Sequence, residues 1–263
     1  MLTVTPNLDP AVYRSRAGIS ASQIKRAHRS IAHADVSTEP TAAMQLGTAV
    51  HMLVLEPARF SEVYTVADFD ARTTAGKAAK AEAEAAGKTL LKPELADTVQ
   101  RMRDALYAAP GTREYLEQKF TPELSMFWRD EDVHPEVAVD CKLRADGAIK
   151  GFGFFDIKTT SDASRDGFGR STANLLYHVQ AAHYLSGARL KQPDARFVFL
   201  AVESEAPYAV GAYELGETSL IAGYTIREEV IRRIVDTEAR EQWRGYSAGL
   251  KTERLDLPAW ALR

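Results

Sequence analysis

Strand-length apolar stretches dominate the middle of the chain. Alternating or continuous apolar residues of this kind occupy 124–130, 136–146, 151–160, 195–204 and 208–215. Helical patterns lie between and around them, which indicates an α/β protein. Because no internal repeat and no linker-like stretch interrupts the pattern, we expect one domain over residues 1–263.

Helices are predicted on both sides of the strand region. The predicted helices cover about 20–34, 41–55, 93–110, 172–190 and 218–241. Residues 73–89 are rich in Ala, Lys and Glu without an apolar stripe, so they predict a solvated helix or a mobile loop. The final segment, LDLPAWALR, ends in apolar residues, and we expect it to pack on the body of the protein.

Composition excludes several classes of protein. The net charge is −3, so binding to a nucleic acid would need a local positive surface. The single cysteine, Cys141, excludes an intramolecular disulfide and any cysteine-built zinc or iron–sulfur site. No apolar run has the length of a membrane span, and the N-terminus lacks a signal-peptide pattern. We therefore expect a cytoplasmic protein without a membrane partner.

The segment RADGAIKGFGFFDIKTT, residues 144–160, carries the candidate chemistry. On a strand, Asp156 and Lys158 share one face, and the backbone carbonyl of Ile157 lies between them. Since Mg²⁺ takes oxygen ligands, Asp146 and Asp156 are candidate ligands. Lys158 would have a lowered pKa or orient a water, and it could offset charge on a phosphate. The alternative is an exposed hairpin that carries these charges by chance.

Geometry sets a condition on this site. In a straight, tight hairpin, Asp146 and Asp156 would be offset by about four residues, roughly 13 Å. One ion cannot bridge that distance, so the two strands must splay or bulge. Gly147, Gly151 and Gly153 are the residue type that permits such a distortion.

Two neighbouring helices contain further candidates. His51 lies in the apolar helix at 41–55, where a lone histidine is more often a core residue than a ligand. Gln180 and Tyr184 are four residues apart and share a helix face, although such pairs usually serve packing. The positions of these residues in their helices do not by themselves assign a function to them.

Seven segments, in this order, resemble the PD-(D/E)xK nuclease superfamily, and specifically its RecE-type (exonuclease VIII) branch from phages and prophages, which is related to lambda exonuclease and RecB-like nucleases. The segments are GISASQI (18–24), LGTAVHMLVLEPARFSEVYTV (46–66), ELSMFW (123–128), CKLRADGAIKGFGFFDIKTTSDA (141–163), YHVQAAHYLSG (177–187), FVFLAVE (197–203) and LDLPAWA (255–261). The resemblance implies a restriction-endonuclease-like α/β fold whose mixed central sheet is flanked by helices. It assigns the nuclease core to 41–215, an N-terminal segment near the DNA 5′ end to 1–40, and a C-terminal helix and tail to 216–263.

The resemblance also assigns roles to individual residues. It implies that the catalytic residues are Asp146, Asp156, Lys158, Gln180, Tyr184 and Glu123. It implies that Mg²⁺, or Mn²⁺ as its substitute, is held by His51, Asp146, Asp156 and the carbonyl of Ile157. It implies that a DNA 5′-phosphate is bound near Ser20, Ser22, Arg14 and Arg16. The family often has proline where this chain has Ala145, and it accepts aspartate at position 156.

The function implied by the resemblance is a Mg²⁺-dependent 5′→3′ exodeoxyribonuclease on linear double-stranded DNA. It would leave 3′ single-stranded overhangs for recombination with a single-strand annealing protein. The family forms rings, so the resemblance implies a ring-shaped trimer or tetramer. From their positions alone, Arg165, Arg170, Lys142 and Lys150 are candidates to line its channel. Two alternatives stay open: an endonuclease on the same core, and a catalytically silent module that binds DNA ends or a recombination partner.

Overall fold

The centre of the protein is a seven-stranded, mostly antiparallel sheet with helices on both faces. The structure, a computed structural model, describes residues 2–36, 39–70, 72–239, 245–246, 252 and 254–258. The strands are β1 (Thr3–Thr5), β2 (Ile19–Ser20), β3 (Tyr64–Val66), β4 (Thr89–Leu91), β5 (Phe120–Asp130), β6 (Val139–Ile149), β7 (Gly153–Thr160), β8 (Arg196–Glu203) and β9 (Val210–Glu214). The expected α/β fold with a mixed sheet flanked by helices is confirmed.

Ten α-helices surround the strands in the described part of the chain. They are α1 (Pro10–Ser15), α2 (Ala21–Arg29), α3 (Ala42–Leu55), α4 (Pro57–Val63), α5 (Thr74–Ala85), α6 (Pro93–Ala108), α7 (Pro110–Leu116), α8 (Arg165–Asn174), α9 (Tyr177–Ala188) and α10 (Glu217–Ala239). No described helix combines the length and the apolar composition that a bilayer crossing would need.

Sheet order follows from the hairpins and one crossover. The strand order is β1-β5-β6-β7-β8-β9, and the short β2 pairs with β6; β3 and β4 form a separate parallel pair. Strands β7 and β8 are parallel, so the chain must cross over between them, and α8 and α9 form that crossover. Every other neighbouring pair along the main order is antiparallel.

Alternation along β7 divides the core into two layers. Phe154 packs in the cluster under α2, α9 and α10, whereas Phe155 and Ile157 pack in the cluster under α3 and α6. Side chains of a strand point alternately to its two faces, so one apolar run supplies both layers. Ile157 and Phe155 are fully buried, which fixes the face on which their polar neighbours emerge.

The β6–β7 hairpin differs from the geometry expected for a tight hairpin. Its pairs are Ile149↔Gly153, Ala148↔Phe154 and Gly147↔Phe155, so the same register places Asp146 directly opposite Asp156. The predicted four-residue offset is wrong because the turn is centred on Gly151, which has a left-handed φ of 77°.

The predicted splay of these two strands is present. Pairing of β6 with β7 ends at Gly147, while β7 stays paired with β8 as far as Thr160. Beyond this point β6 takes a different partner, because β2 pairs in parallel with Cys141 and Lys142. The N-terminal segment therefore enters the gap that β7 leaves.

Other predictions need correction. The single helix at 172–190 is two helices, and Leu176, with a φ of 54°, separates them. The strands β1 to β4 lie in stretches where the pattern indicates no strand. Several short helices were not predicted either. The described part of the C-terminal tail does not pack on the body, since Leu255 and Leu257 are exposed; residues 259–263 lie outside the described residues.

Gly147 gives a test of this hairpin. A methyl group there would lie 2.0 Å from the buried Phe155 ring, so we expect Gly147→Ala to lower the free energy of unfolding by about 1–3 kcal/mol. The matched control is Gly169→Ala in α8, where an added methyl meets nothing within 4 Å. Chemical denaturation measures both variants. Equal stability of Gly147→Ala and wild type would contradict the packing described here.

Candidate active site

Asp146 lies where the two strands of the hairpin separate. Its Oδ2 accepts a hydrogen bond of 2.8 Å from the backbone amide of Ile157, and it lies 3.1 Å from Nδ1 of His51. The carboxylate thus takes the place of a backbone partner on β6. One oxygen of Asp146 joins two strands and a helix.

The carbonyl of Ile157 faces the same gap. The carbonyls of Phe152 and Thr160 accept hydrogen bonds from the β8 side, so the even-numbered residues of β7 turn their backbone groups toward β8. The amide and carbonyl of one strand residue point to the same neighbour, so the odd-numbered Ile157 turns both groups toward β6. Its carbonyl is therefore directed into the space between the splayed strands.

His51 reaches this gap from α3. That helix begins after Thr41, whose hydroxyl accepts a hydrogen bond from the Met44 amide, and it ends before Pro57. The His51 side chain is 26% exposed and borders a cavity of about 390 Å³, which Glu123 and Arg144 also line. His51 is therefore a residue of the cavity wall and not of the sealed core.

His51 and Asp146 set each other's charge. Burial disfavours the charged imidazole, but the Asp146 carboxylate outweighs burial and raises the pKa of His51 to about 9. Burial likewise opposes ionisation of Asp146, yet His51 outweighs it and the pKa of Asp146 is lowered. At neutral pH the two side chains form an ion pair.

Asp156 is held from two sides. Its Oδ1 accepts a hydrogen bond of 2.7 Å from Nε2 of Gln180 on α9, and its Oδ2 pairs with the ammonium of Lys158. This Oδ2 is buried and accepts no hydrogen bond of regular geometry within the described part of the protein. Burial, followed by the nearby charge of Asp146, raises the pKa of Asp156.

Lys158 remains a cation. Burial disfavours its charge, but Asp156 and then Asp146 outweigh burial, and the pKa of Lys158 is raised. The predicted lowering of this pKa is therefore wrong, because the carboxylates that surround the ammonium stabilise its charged form. Lys158 is suited to stabilise negative charge and is a poor base.

Tyr184 and Glu123 both contact Arg144. The Tyr184 hydroxyl donates to the backbone carbonyl of Arg144 at 2.6 Å, and the Glu123 carboxylate pairs with the Arg144 guanidinium. Tyr184 therefore fixes β6 two residues before Asp146, and neither residue has a hydrogen bond to the two aspartates. Burial and the charge of Asp146 raise the pKa of Glu123.

The groups predicted as metal ligands gather at this site, but they are engaged with one another. Across the residues that the structure describes, no group of three or more His, Cys, Asp or Glu side chains stands ready to hold a metal ion. His51 is paired with Asp146, and Asp156 is paired with Lys158. A cation would have to take over oxygen and nitrogen atoms that now serve these two pairs.

The residues predicted to bind a 5′-phosphate lie beside this site. Ser20, Ser22, Arg14 and Arg16 line a cavity of about 660 Å³, which shares Tyr13 and Arg14 with the cavity at His51. The Ser20 hydroxyl accepts a hydrogen bond from the Gln23 amide and so caps α2, whereas Ser22 is exposed.

Lys142 does not line a channel. Its side chain is buried, and its ammonium donates to the backbone carbonyls of Tyr13, Arg14 and Arg16. The prediction for this residue is wrong, because the ammonium is used to hold the N-terminal segment against β6. Lys150, Arg165 and Arg170 are exposed, and Arg170 pairs with Asp162 at 3.5 Å.

Two residues at the site were not predicted. The ammonium of Lys25, on α2, lies 5.1 Å from the centroid of the Tyr177 ring, and that of Lys158 lies 4.9 Å from the same centroid. Lys25 directly follows the segment GISASQI, and Tyr177 begins the segment YHVQAAHYLSG. Their positions in the sequence give no signal that the two segments meet at Lys158.

Comparisons with known proteins agree with this fold. Residues 20–255 match a family described as a PDDEXK-like domain of unknown function (DUF3799). No curated protein is similar enough to count as a match. The crystal structure of a protein from Eubacterium rectale, provisionally named an exonuclease, has a TM-score of 0.65 and 11% identity over 98% of both chains. The structure of SSO0001 shares 15% identity over 84% of each chain, and its TM-score of 0.30 is too low to support an argument.

The His51–Asp146 pair gives a pH-dependent prediction. The folded-state pKa of His51 is raised, so its contribution to stability is complete below about pH 6.5 and is lost as pH rises through about 9. We expect wild type to exceed His51→Asn by about 2–3 kcal/mol at about pH 6, where Asp146 is ionised, and by much less above pH 9. Denaturation of the metal-free proteins across this range measures the difference. A difference that is constant with pH, or one that His28→Asn on the exposed side of α2 reproduces, would contradict the pair.

Proposed function

The chain belongs to the family of PDDEXK-like domains, and from this premise we propose that it is a metal-dependent nuclease. More specifically, we propose a RecE-type 5′→3′ exodeoxyribonuclease that degrades linear double-stranded DNA and leaves 3′ single-stranded overhangs. The observation that supports this proposal is the placement of Asp146 and Asp156 opposite each other at the splay, with His51 and Lys158 beside them.

The donor atoms suit a hard divalent cation. His51, Asp146, Asp156 and the carbonyl of Ile157 would hold Mg²⁺, or Mn²⁺ in its place. Among the described residues, the buried Oδ2 of Asp156 has the Lys158 ammonium as its partner, so a bound cation would share or take over that contact. A cation bound there supplies Lewis-acid stabilisation of the charge on the phosphate under attack.

The side chains around these groups have separate tasks. Gln180 holds the Asp156 carboxylate in one orientation through its 2.7 Å hydrogen bond. Lys158 stays protonated at neutral pH, so its ammonium can orient the attacking water and stabilise the extra negative charge on the phosphate. His51 must release a proton before its nitrogen can serve as a ligand, because its pKa of about 9 keeps it protonated at pH 7.

The N-terminal segment would bind the DNA end. Ser22, Arg14 and Arg16 offer a hydroxyl group and two guanidinium groups around the cavity beside the site, which suits a 5′-phosphate. The Ser20 hydroxyl is already used as a helix cap, so its own contribution would be smaller. Lys142, on β6, holds this segment in place by donating hydrogen bonds to three of its backbone carbonyls.

Assembly and partners follow from the same proposal. A ring-shaped trimer or tetramer around DNA, with Lys150, Arg165 and Arg170 toward the channel, would let a chain of net charge −3 present positive charge only where DNA passes. A single-strand annealing protein would take up the 3′ overhang.

Digestion of end-labelled linear duplex tests the nuclease. We expect Mg²⁺-dependent release of nucleotides from 5′ ends, and a loss of at least about 100-fold in Asp146→Asn and in Asp156→Asn. The matched control is Asp97→Asn, an aspartate on the exposed face of α6, which should cut like wild type.

The same assay separates the alternatives. Cutting of covalently closed plasmid would contradict the exonuclease and favour an endonuclease. Binding of DNA ends without any cutting in Mg²⁺ or Mn²⁺ would favour the silent module. Release of nucleotides from 3′ ends first would reverse the proposed polarity.

A further inference from the structure

Helix α2 begins directly after β2, the strand that lies in the gap between the splayed strands. The strand β2, which leads into it, pairs Ile19 with Cys141 on β6, past the point where β7 has turned away. Ile24 and Ala27 are fully buried, and α2 packs against α9. Because Lys25 lies between the buried Ile24 and Ala27 in the sequence, the packing of α2 against the sheet and α9 sets its position.

Two ammonium groups lie close to the ring of Tyr177. Lys25 and Lys158 lie 5.1 and 4.9 Å from its centroid. Tyr177 is itself fixed, since it begins α9 and its ring contacts Phe168 and Phe199. An aromatic face attracts a cation but leaves its positive charge in place.

The two lysines differ in their anionic partners. Lys158 is paired with Asp156, whereas Lys25 makes no hydrogen bond and no ion pair with any residue in the described ranges. Burial and then the charge of Lys158 lower the pKa of Lys25 to about 8, and Asp156 offsets this only in part. A half-buried ammonium of this kind gains from an anion that arrives from outside.

We propose that Lys25 is a phosphate-binding residue of the active site, and that its ammonium contacts a non-bridging oxygen of the nucleic-acid backbone beside the position served by Lys158. This inference rests on the proposed function and extends it to a residue outside the aspartate, lysine and histidine set. A phosphodiester backbone fits because it repeats its negative charge at short intervals, so one phosphate can meet Lys158 while another oxygen or the next phosphate meets Lys25.

Binding in the absence of metal tests Lys25 apart from catalysis. The probe is a short, fluorescently labelled, 5′-phosphorylated duplex in EDTA, titrated between about 50 and 200 mM salt. We expect Lys25→Gln to bind about tenfold more weakly than wild type, and its plot of log K against log salt to lose about 0.9 of its slope. We expect Lys25→Arg to keep the slope of wild type, since it keeps the charge. The matched control is Lys77→Gln on the exposed face of α5.

Tyr177 variants test the shared ring. Tyr177→Phe keeps the aromatic face and should bind like wild type, whereas Tyr177→Leu removes it and should weaken binding severalfold although Lys25 is present. Thermal unfolding of each variant separates this effect from a loss of folded protein. Equal binding by folded Tyr177→Leu and wild type would remove the ring from the proposal.

The outcomes for Lys25 and for the nuclease can be told apart. A lower affinity and a smaller slope in Lys25→Gln alone support the inference. Wild-type affinity and slope in Lys25→Gln overturn it, and the nuclease proposal then stands without Lys25. A wild-type protein that neither binds nor cuts duplex DNA overturns both.

Discussion

The hydrogen bond from the Ile157 amide to the Asp146 carboxylate holds the site together. It lies where β6 and β7 stop pairing, and it replaces a backbone bond that a continuous ladder would supply there. Since that carboxylate also meets His51, the interaction ties α3 to both strands of the hairpin. The register of three residue pairs then decides that Asp156 stands directly across. A shift by one residue between the two strands would place the two aspartates on opposite faces of the sheet.

The splay also admits the N-terminal segment. Strand β2 occupies the edge of β6 that β7 vacates, and it leads into α2, which carries Lys25. With His51 protonated, the cations His51, Lys158 and Lys25 outnumber the carboxylates Asp146 and Asp156. A protein whose net charge is −3 can in this way keep a small positive region at the place where a phosphate is proposed to bind.

The residues of the site were predicted better than their geometry. The shared face of Asp156 and Lys158 follows from strand alternation, the oxygen preference of Mg²⁺ adds Asp146, and the resemblance to a known superfamily gives roles to His51 and Gln180. The register could not be read from the sequence, because Gly147, Gly151 and Gly153 are each acceptable turn residues. The structure assigns them separate tasks: Gly151 makes the turn, and Gly147 leaves room for the Phe155 ring.

The charge states of side chains and the contacts between distant parts of the chain could not be predicted from the sequence. A lowered pKa for Lys158 assumes that burial dominates, but the two carboxylates around it reverse the direction. Lys142 follows Cys141 on a strand and looks like a surface lysine in the sequence, yet it folds back onto carbonyls more than a hundred residues away. Such contacts are created by the tertiary fold and leave no local signal.

Diffraction from crystals soaked in Mn²⁺ would show whether the splayed strands bind a metal ion, since the anomalous signal of manganese locates the ion without reference to any activity. We expect a peak in the gap between β6 and β7, within bonding distance of His51, Asp146 and Asp156, and its loss in Asp156→Ala. Manganese bound elsewhere on the protein, with His51 still paired to Asp146 and this gap empty, would contradict this expectation.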